Sequence, residues 1–275
     1  MLKDAILTNP QSLSGELRLK ILDLYHSAHA GHIGCSLSCI DILIAVLFLH
    51  KAEKDTFILS KGHAAAALYA SLNHLGEISD ETLSTYYKEG TTLPAHPGAG
   101  HFKGIPFATG SLGHGFPIGS GIAHAAKTAG EDSYAYVVMS DGETNEGTSW
   151  EAAHYAIQNQ LDNLIVIIDR NGIQGFGFTD EVLGVTADTE KWIAIGMDVT
   201  EVDGHDITQL YQAIADAKSR KNGLPKMIIA NTVKGKGVEY MENKLEWHYL
   251  PMTEEQYEEA RRNIREVYFN ELTNA

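Results

Sequence analysis

The sequence predicts an α/β protein: a doubly wound, mostly parallel sheet with helices on both faces. Three observations predict it. Short apolar runs recur along the chain with helix-spaced segments between them, the alternation that builds parallel sheets. The joints between these segments are rich in glycine. One run, residues 164–169, is apolar almost without a break, as in a strand covered on both faces.

Taken in order, residues 12–28 carry Leu17, Ile21, Leu24 and Ala28 at spacings of four, three and four, a helical stripe expected to stop at Gly31. Residues 37–50 are apolar nearly all round and read as a buried helix. Residues 57–59 are a short strand candidate. Ser60-Lys61-Gly62-His63 follows at once, then an alanine-rich helix to Leu75 that stops at Gly76. Residues 90–121, with Pro94, Pro97, Pro106, Pro117 and many glycines, are expected to be mostly loop, and loops of that length usually carry function. Residues 134–139 are strand-like, and Thr148-Ser149-Trp150-Glu151 reads as a capping box opening a helix to about Gln160. Strands are expected at 164–169, 199–203 and 227–233, with Asp206 as N-cap of a helix ending near Gly223. A second box, Thr253-Glu254-Glu255-Gln256, starts a last helix with Tyr257, Ala260, Ile264 and Val267 on one stripe. No repeat, low-complexity segment or linker interrupts this order, so residues 1–275 are expected to form a single domain.

Composition excludes several function classes. The 275 residues carry 36 Asp plus Glu against 21 Lys plus Arg, a formal charge of −15 with no basic tract. Neither nucleic acid nor an anionic membrane is an expected partner. The longest unbroken apolar run, residues 42–49, is far short of the roughly 20 residues of a membrane helix. The N-terminal stretch lacks the apolar core of a secretion signal. Cys35 and Cys39, the only cysteines, lie four apart in one segment, which points to a reducing compartment rather than a disulfide framework. A cytoplasmic location is expected.

The chemistry concentrates after the 134–139 run, in Ser140-Asp141-Gly142-Glu143-Thr144-Asn145-Glu146-Gly147. A strand ending in a glycine-containing turn before a helix N-terminus offers an anion free amides and a favourable dipole. Residues 139–151 hold Asp141, Glu143, Glu146 and Glu151 but no Lys or Arg, so an anion there needs a divalent cation between it and the protein. Asp141 is placed as a hard-oxygen ligand for magnesium or calcium. Alone, an Asp-Gly turn is more often a solvated acidic turn. Asn171 shifts the balance. It lies about thirty residues later, in Asp169-Arg170-Asn171-Gly172-Ile173, and a right-handed βαβ unit sets successive strand ends side by side. Asp141 and Asn171 can then converge on one ion.

These two strand ends resemble the thiamine diphosphate motif, a Gly-Asp-Gly start and an Asn end about thirty residues apart, with Ser140 in place of the first glycine. Ala30-Gly31-His32-Ile33-Gly34, Leu59-Ser60-Lys61-Gly62-His63-Ala64, Ala95-His96-Pro97, Thr109-Gly110-Ser111-Leu112-Gly113-His114-Gly115 and Glu246-Trp247-His248 resemble successive transketolase motifs, in transketolase order, over nearly the whole chain. The resemblance implies the thiamine diphosphate-binding fold and a set of roles. Asp141, Asn171 and the Ile173 carbonyl would hold the metal. The Gly142 amide, His63 and His248 would contact the diphosphate, and Gly110, Ser111 and Leu112 would pass beside the thiamine rings. His32, His96 and His248 would line the substrate channel, bonding sugar hydroxyls and moving protons, work that suits a side chain titrating near neutrality. Glu146 would sit at a contact between subunits, where paired glutamates link two active sites. Three features depart from the family: Ile33 where Pro is usual, His114 where Gln is usual, and the Gln174-Gly175-Phe176-Gly177 stretch. Other histidines read as structural. His50, His74, His124 and His154 fall on helical runs, and the spacing of His26, His29 and His32 reads as the face of a helix end rather than a ligand set.

The resemblance also implies what other parts the reaction needs. Transketolase chemistry requires a glutamate beside the aminopyrimidine ring of the cofactor, and in the family that residue lies in a second, pyrimidine-binding domain. This sequence shows no second α/β repeat. The expectation is the diphosphate-binding subunit of a split transketolase, acting on sugars with a partner subunit that carries the pyrimidine-binding domain, as a heterotetramer. Its expected reaction is transfer of a two-carbon ketol unit. Two alternatives are carried. One is the alpha subunit of a thiamine-dependent 2-oxoacid dehydrogenase, against which stand the 59–64 and 110–115 stretches. The other is a nucleotide-binding module, whose glycine and lysine signatures are missing.

Overall fold

The computed structural model describes residues 2–270. Two helices open the chain, Leu2–Thr8 (α1) and Pro10–Ala28 (α2), the latter with Pro10 in its first turn where no N–H is needed. α2 ends at Ala28, before Gly31, because His29 turns left-handed at φ 46°. Helix α3 begins at Ile33, earlier than expected, spans Ile33–Leu43 and widens into π-helical turns over Ile44–His50. The whole Ile33–His50 segment has a mean hydropathy of 2.1 over 18 residues, long and apolar enough in composition to cross a membrane. Here 83% of it is buried inside the protein. Its one carboxylate, Asp41, is paired with the buried guanidinium of Arg18 at 2.7 Å.

His50 closes that segment. Its Nε2 lies 2.9 Å from the Tyr211 carbonyl and its ring stacks on Tyr211. Burial lowers its pKa to about 4, below the ordinary 6.5. Between those values the unfolded chain binds a proton that the folded chain does not, so this group's contribution is complete above pH 6.5 and is lost as pH falls toward 4. His50→Gln is therefore expected to flatten the stability curve by up to one proton over that window, read by urea unfolding; an unchanged slope would contradict the burial argument.

Strand β1 (Thr56–Leu59) leads through a 3₁₀ turn at Gly62–Ala64 into α4 (Ala65–His74) and the short α5 (Asp80–Leu83). The expected 90–121 loop is shorter than its proline content suggests. Helix α6 spans Gly115–Ala129 and takes Pro117 in its first turn, where proline is tolerated. Next come β2 (Ala135–Ser140), a 3₁₀ turn at Asp141–Asn145 and α7 (Gly147–Gln158). The capping box expected at 148–151 is not there: α7 starts at Gly147, with Glu146 as a cap that makes no side-chain bond. A box sits eight residues earlier, between Ser140 and Glu143, and closes the turn that carries Asp141.

β3 (Leu164–Arg170) is followed by a two-strand hairpin, β4 (Ile173–Gln174) and β5 (Gly177–Phe178), then α8 (Thr179–Leu183) and α9 (Thr189–Ile195). β6 (Asp198–Asp203) leads to α10 (Ile207–Ser219), which Asp206 caps through the amides of Thr208 and Gln209. β7 (Lys226–Asn231), a 3₁₀ turn at Leu245–His248 and α11 (Glu254–Phe269) complete the order, the last opened by the Thr253–Gln256 box. On α11, Ala260 and Ile264 are buried, whereas Val267 faces solvent.

The five-stranded sheet has the order β1-β2-β3-β7-β6, every pairing parallel. Alternation divides its side chains between two cores. Tyr136, Val138, Ile165, Ile167 and Ile228 meet α2, α3, α4, α10 and α11 on one face. Val137, Met139, Val166, Ile168 and Ile229 meet α6, α7 and the buried Trp192 of α9 on the other. The register sets Ser140 beside Asp169 and Arg170 beside Asn231, so the tips of β2, β3 and β7 end together at one edge.

Candidate active site

A cavity of about 460 Å³ opens at that carboxyl edge, the place where ligands bind in sheets of this kind. His32, His63, His96, Gly110, Leu112, Asp141, Gly142, Glu146, Asn171, Ile173 and His248 all line it. Of the residues given cofactor, metal, substrate or subunit-contact roles from sequence, Ser111 alone lies outside the lining, and it is exposed. His114 points elsewhere, into a groove between α6 and α7.

The β2 and β3 tips form the floor. Asp141 is 1% exposed; its Oδ1 accepts from the Gly142 amide at 2.8 Å and its Oδ2 from the Gly172 amide at 2.6 Å. Burial, with the neighbouring Asp169 charge, raises its pKa to about 6. Asn171 donates from Nδ2 to Asp169 at 3.2 Å, while its Oδ1 accepts from the Ile173 amide at 3.2 Å. Asp169 itself is fully buried. Ser38 donates to it at 2.6 Å, and Thr232 and the Lys61 ammonium also bond it. Burial opposes that carboxylate's charge most strongly, but Lys61 together with the Ser38 and Thr232 hydrogen bonds outweighs it and keeps the pKa below the usual range.

This pair sets the orientation of Asn171. Removing one partner strands a buried charge, so Lys61→Met is expected to lower stability by about 3–5 kcal/mol. Urea unfolding reads the effect, and a loss below about 1 kcal/mol, the level of a surface pair, would contradict this account of the pair.

Four histidines form the walls. The His32 ring lies 5.6 Å from His63, 5.9 Å from His96 and 5.2 Å from His248, centroid to centroid. His32 is held left-handed at φ 74° as α3 begins, and its amide bonds the His248 carbonyl at 3.1 Å. Burial lowers the pKa of His32 to about 4 and also lowers those of His63 and His96, so these three are neutral near pH 7. A neutral imidazole both donates and accepts, which suits uncharged hydroxyl groups. Gly62 is required here: a Cβ would come within 2.7 Å of the backbone at Thr109 and Gly110, where the 109–113 loop packs on the 3₁₀ turn after β1. Glu143, fully buried, ties the same loop down by accepting from the Gly113 amide at 3.0 Å and the Ser140 amide at 2.8 Å, and by bonding Ser60.

Sequence reasoning missed several groups. No basic residue occurs in 139–151, yet Lys234, just beyond β7, reaches the cavity wall. Cys35 lies beneath it. Burial opposes the Cys35 thiolate most strongly, but Lys234, His63 and His248 together outweigh it and hold the pKa well below the ordinary value. The signal for Lys61 and Asp169 was present as charged residues at the ends of apolar runs; nothing local marked Lys234.

The donor set fits an anion held through a divalent cation. Among the described residues, no three His, Cys, Asp or Glu side chains come together to hold a metal by themselves. The floor instead offers one carboxylate, one amide oxygen and one carbonyl. This is a hard-oxygen set that leaves positions for the oxygens of a phosphate, as magnesium prefers. A Cβ on Gly142 would stand 3.1 Å from the Gln174 Cβ, so any side chain at the turn beside Asp141 would have to push Gln174 back. The amide nitrogen of Gln174 is buried on this wall without a protein partner, a polar group that a ligand oxygen can meet.

Fold and site together define an α/β enzyme domain built to hold a phosphorylated cofactor at the carboxyl edge of a parallel sheet. Residues 10–266 match the family described as transketolase, thiamine diphosphate binding domain. The chain is 41% identical over 261 residues to an apulose-4-phosphate transketolase subunit of Phocaeicola vulgatus, covering 90% of this chain and 91% of that one. It is 40% identical over 239 residues to the 6-deoxy-6-sulfo-D-fructose transketolase subunit SqwG of a Clostridium species, covering 84% and 86%. In structure it matches the transketolase of Campylobacter jejuni with a TM-score of 0.85 at 30% identity, covering 92% of this chain but 42% of that one. This chain belongs to the transketolase family. The comparisons do not favour the 2-oxoacid dehydrogenase alternative.

Proposed function

We propose that this chain is the cofactor-binding subunit of a two-subunit transketolase, transferring a two-carbon ketol unit from a ketose to an aldose together with a separate partner subunit. One observation carries the reading: a single cavity gathers Asp141, Asn171, Ile173, Gly142 and the histidine cluster from six separate stretches of sequence.

In this reading Asp141, Asn171 and the Ile173 carbonyl hold magnesium or calcium. Gly142, His63 and His248 meet the diphosphate. Gly110 and Leu112 flank the thiamine rings, with Ser111 beside them. When bound, thiamine diphosphate supplies the carbon nucleophile and electron sink that ketol transfer needs. The protein's own part is positional and protic. His32, His96 and His248 bond sugar hydroxyls, and the neutral rings of His32 and His96 can take a proton at one nitrogen and give one at the other. Similarity to chains named for apulose 4-phosphate and a sulfonated fructose supports an anionic ketose.

The partner subunit brings the pyrimidine-binding domain. Two facts support it: the relatives named as transketolase subunits are matched over most of their length, and the cavity mouth is apolar and bare. Phe176 is 87% exposed at the hairpin tip, with Leu183 at 61% and Val182 at 39% beside it on the cavity rim, more than a solvated rim needs. We place Glu146, exposed at the start of α7, at a contact between subunits of a heterotetramer. The two free, buried cysteines suit the cytoplasm.

A thermal shift tests the cofactor. Thiamine diphosphate with magnesium at about a hundred times its dissociation constant should raise Tm by about 5 °C. NAD and ATP with the same magnesium should leave it unchanged; an equal rise with ATP would return the site to a general nucleotide pocket.

A further inference from the structure

Lys234 is given no role of its own above, although it donates to the Ile173 carbonyl that the proposed function shares with the metal, and its surroundings are fully specified. The residue is 1% exposed. An ammonium carries three N–H groups and no lone pair. Three acceptors surround Nζ: Cys35 Sγ at 3.1 Å, His248 Nδ1 at 3.2 Å and the Ile173 carbonyl at 3.3 Å. Donors and acceptors match one for one.

The consequence falls on His248. A ring nitrogen that accepts from an ammonium must present its lone pair, so in the neutral imidazole the proton resides on Nε2. That nitrogen faces the cavity side, 3.5 Å from the Cβ position of the wall residue Gly175. We propose that Lys234 is a positioning residue that fixes His248 as its Nε2–H tautomer, making it a hydrogen-bond donor into the cavity. Which oxygen receives that bond rests on the cofactor and sugar reading above; the tautomer itself does not. One competing arrangement exists. Cys35 Sγ lies 3.8 Å from the same nitrogen, and a Cys35 thiolate accepting from Nδ1–H would reverse the ring's polarity. The shorter Lys234 contact favours the first arrangement.

Nitrogen NMR of the full chain labelled with ¹⁵N-histidine decides between them, with the His248 signals assigned by their loss in His248→Gln. The expected wild-type spectrum has an unprotonated Nδ1 and a protonated Nε2. In Lys234→Met both signals should move toward the averaged positions of free imidazole. A protonated Nδ1 in the wild type, or a spectrum unmoved by Lys234→Met, overturns the proposal. If Lys234→Met does not fold, the wild-type spectrum decides alone. In the assembled complex, Lys234→Met is expected to lower kcat/KM by about 10- to 100-fold. In a His248→Gln background it should cost less than about twofold, since both residues act through one bond; additive losses count against it. A chain that fails to bind the cofactor would undo the functional reading while leaving the tautomer measurable.

Discussion

Asp141→Ala is expected to weaken binding of thiamine diphosphate in the presence of magnesium by about 100-fold or more, equivalent to about 3 kcal/mol. Asp141 is the floor's only carboxylate facing the cavity; Asp169, beside it, is engaged by Lys61, Ser38 and Thr232. Its removal leaves an amide and a carbonyl, too little charge to hold a divalent cation against a diphosphate. The carboxylate also accepts two backbone amides, so alanine frees the turn as well. Asp141→Asn separates these effects. It keeps an oxygen acceptor without the charge and should still lose most of the affinity. Calorimetric titration at constant magnesium reads both variants, and wild-type affinity in Asp141→Asn would mean that the cation is held elsewhere.

The isolated chain is expected to show essentially no ketol transfer, with activity appearing on addition of the pyrimidine-binding partner. The lining offers neutral histidines for proton movement, but the carboxyl group that the aminopyrimidine ring needs is assigned to the partner. Loss of one acid–base group alone costs about 10²–10⁴ in rate. Turnover measured by release of the shortened aldose should rise by at least that factor when the partner is added. Replacing Phe176 and Leu183 by Ser should shift the partner concentration needed for half-maximal rate, without changing cofactor affinity in the isolated chain. Full activity in the isolated chain would remove the two-subunit reading at once.

Much of the site was legible because its residues sit where strands end. Asp141 and Asn171 could be paired from their spacing alone, since a parallel βαβ unit leaves its strand tips adjacent, and the β2–β3 register places them so. The histidines were readable through the family motifs they resemble, and His32, His63, His96 and His248 meet in one wall. What escaped was everything set by distance across the fold. Nothing in the sequence around Lys234 marks it, because its surroundings include Cys35 and His248, brought in from other parts of the chain. Helix α6 escaped because Gly115, Pro117, Gly119 and Gly121 signal turn locally. Tertiary packing overrides that preference; Phe116 and Ala123 are fully buried against the sheet. The misplaced capping box has a similar origin. Glu143 is drawn back to the Ser140 amide because it must also hold Gly113.

The Ile33–His50 segment carries a cost during synthesis. α2 precedes it and can shield one side, but α4, α10 and the sheet residues that complete the same core all emerge later from the ribosome. At roughly 5–20 residues per second, a stretch greasy enough to be mistaken for a bilayer anchor waits many seconds for its cover. The nascent polypeptide is therefore a natural client for holding chaperones, and a ribosome stalled between β1 and β7 would release a product prone to clump or to stray into lipid.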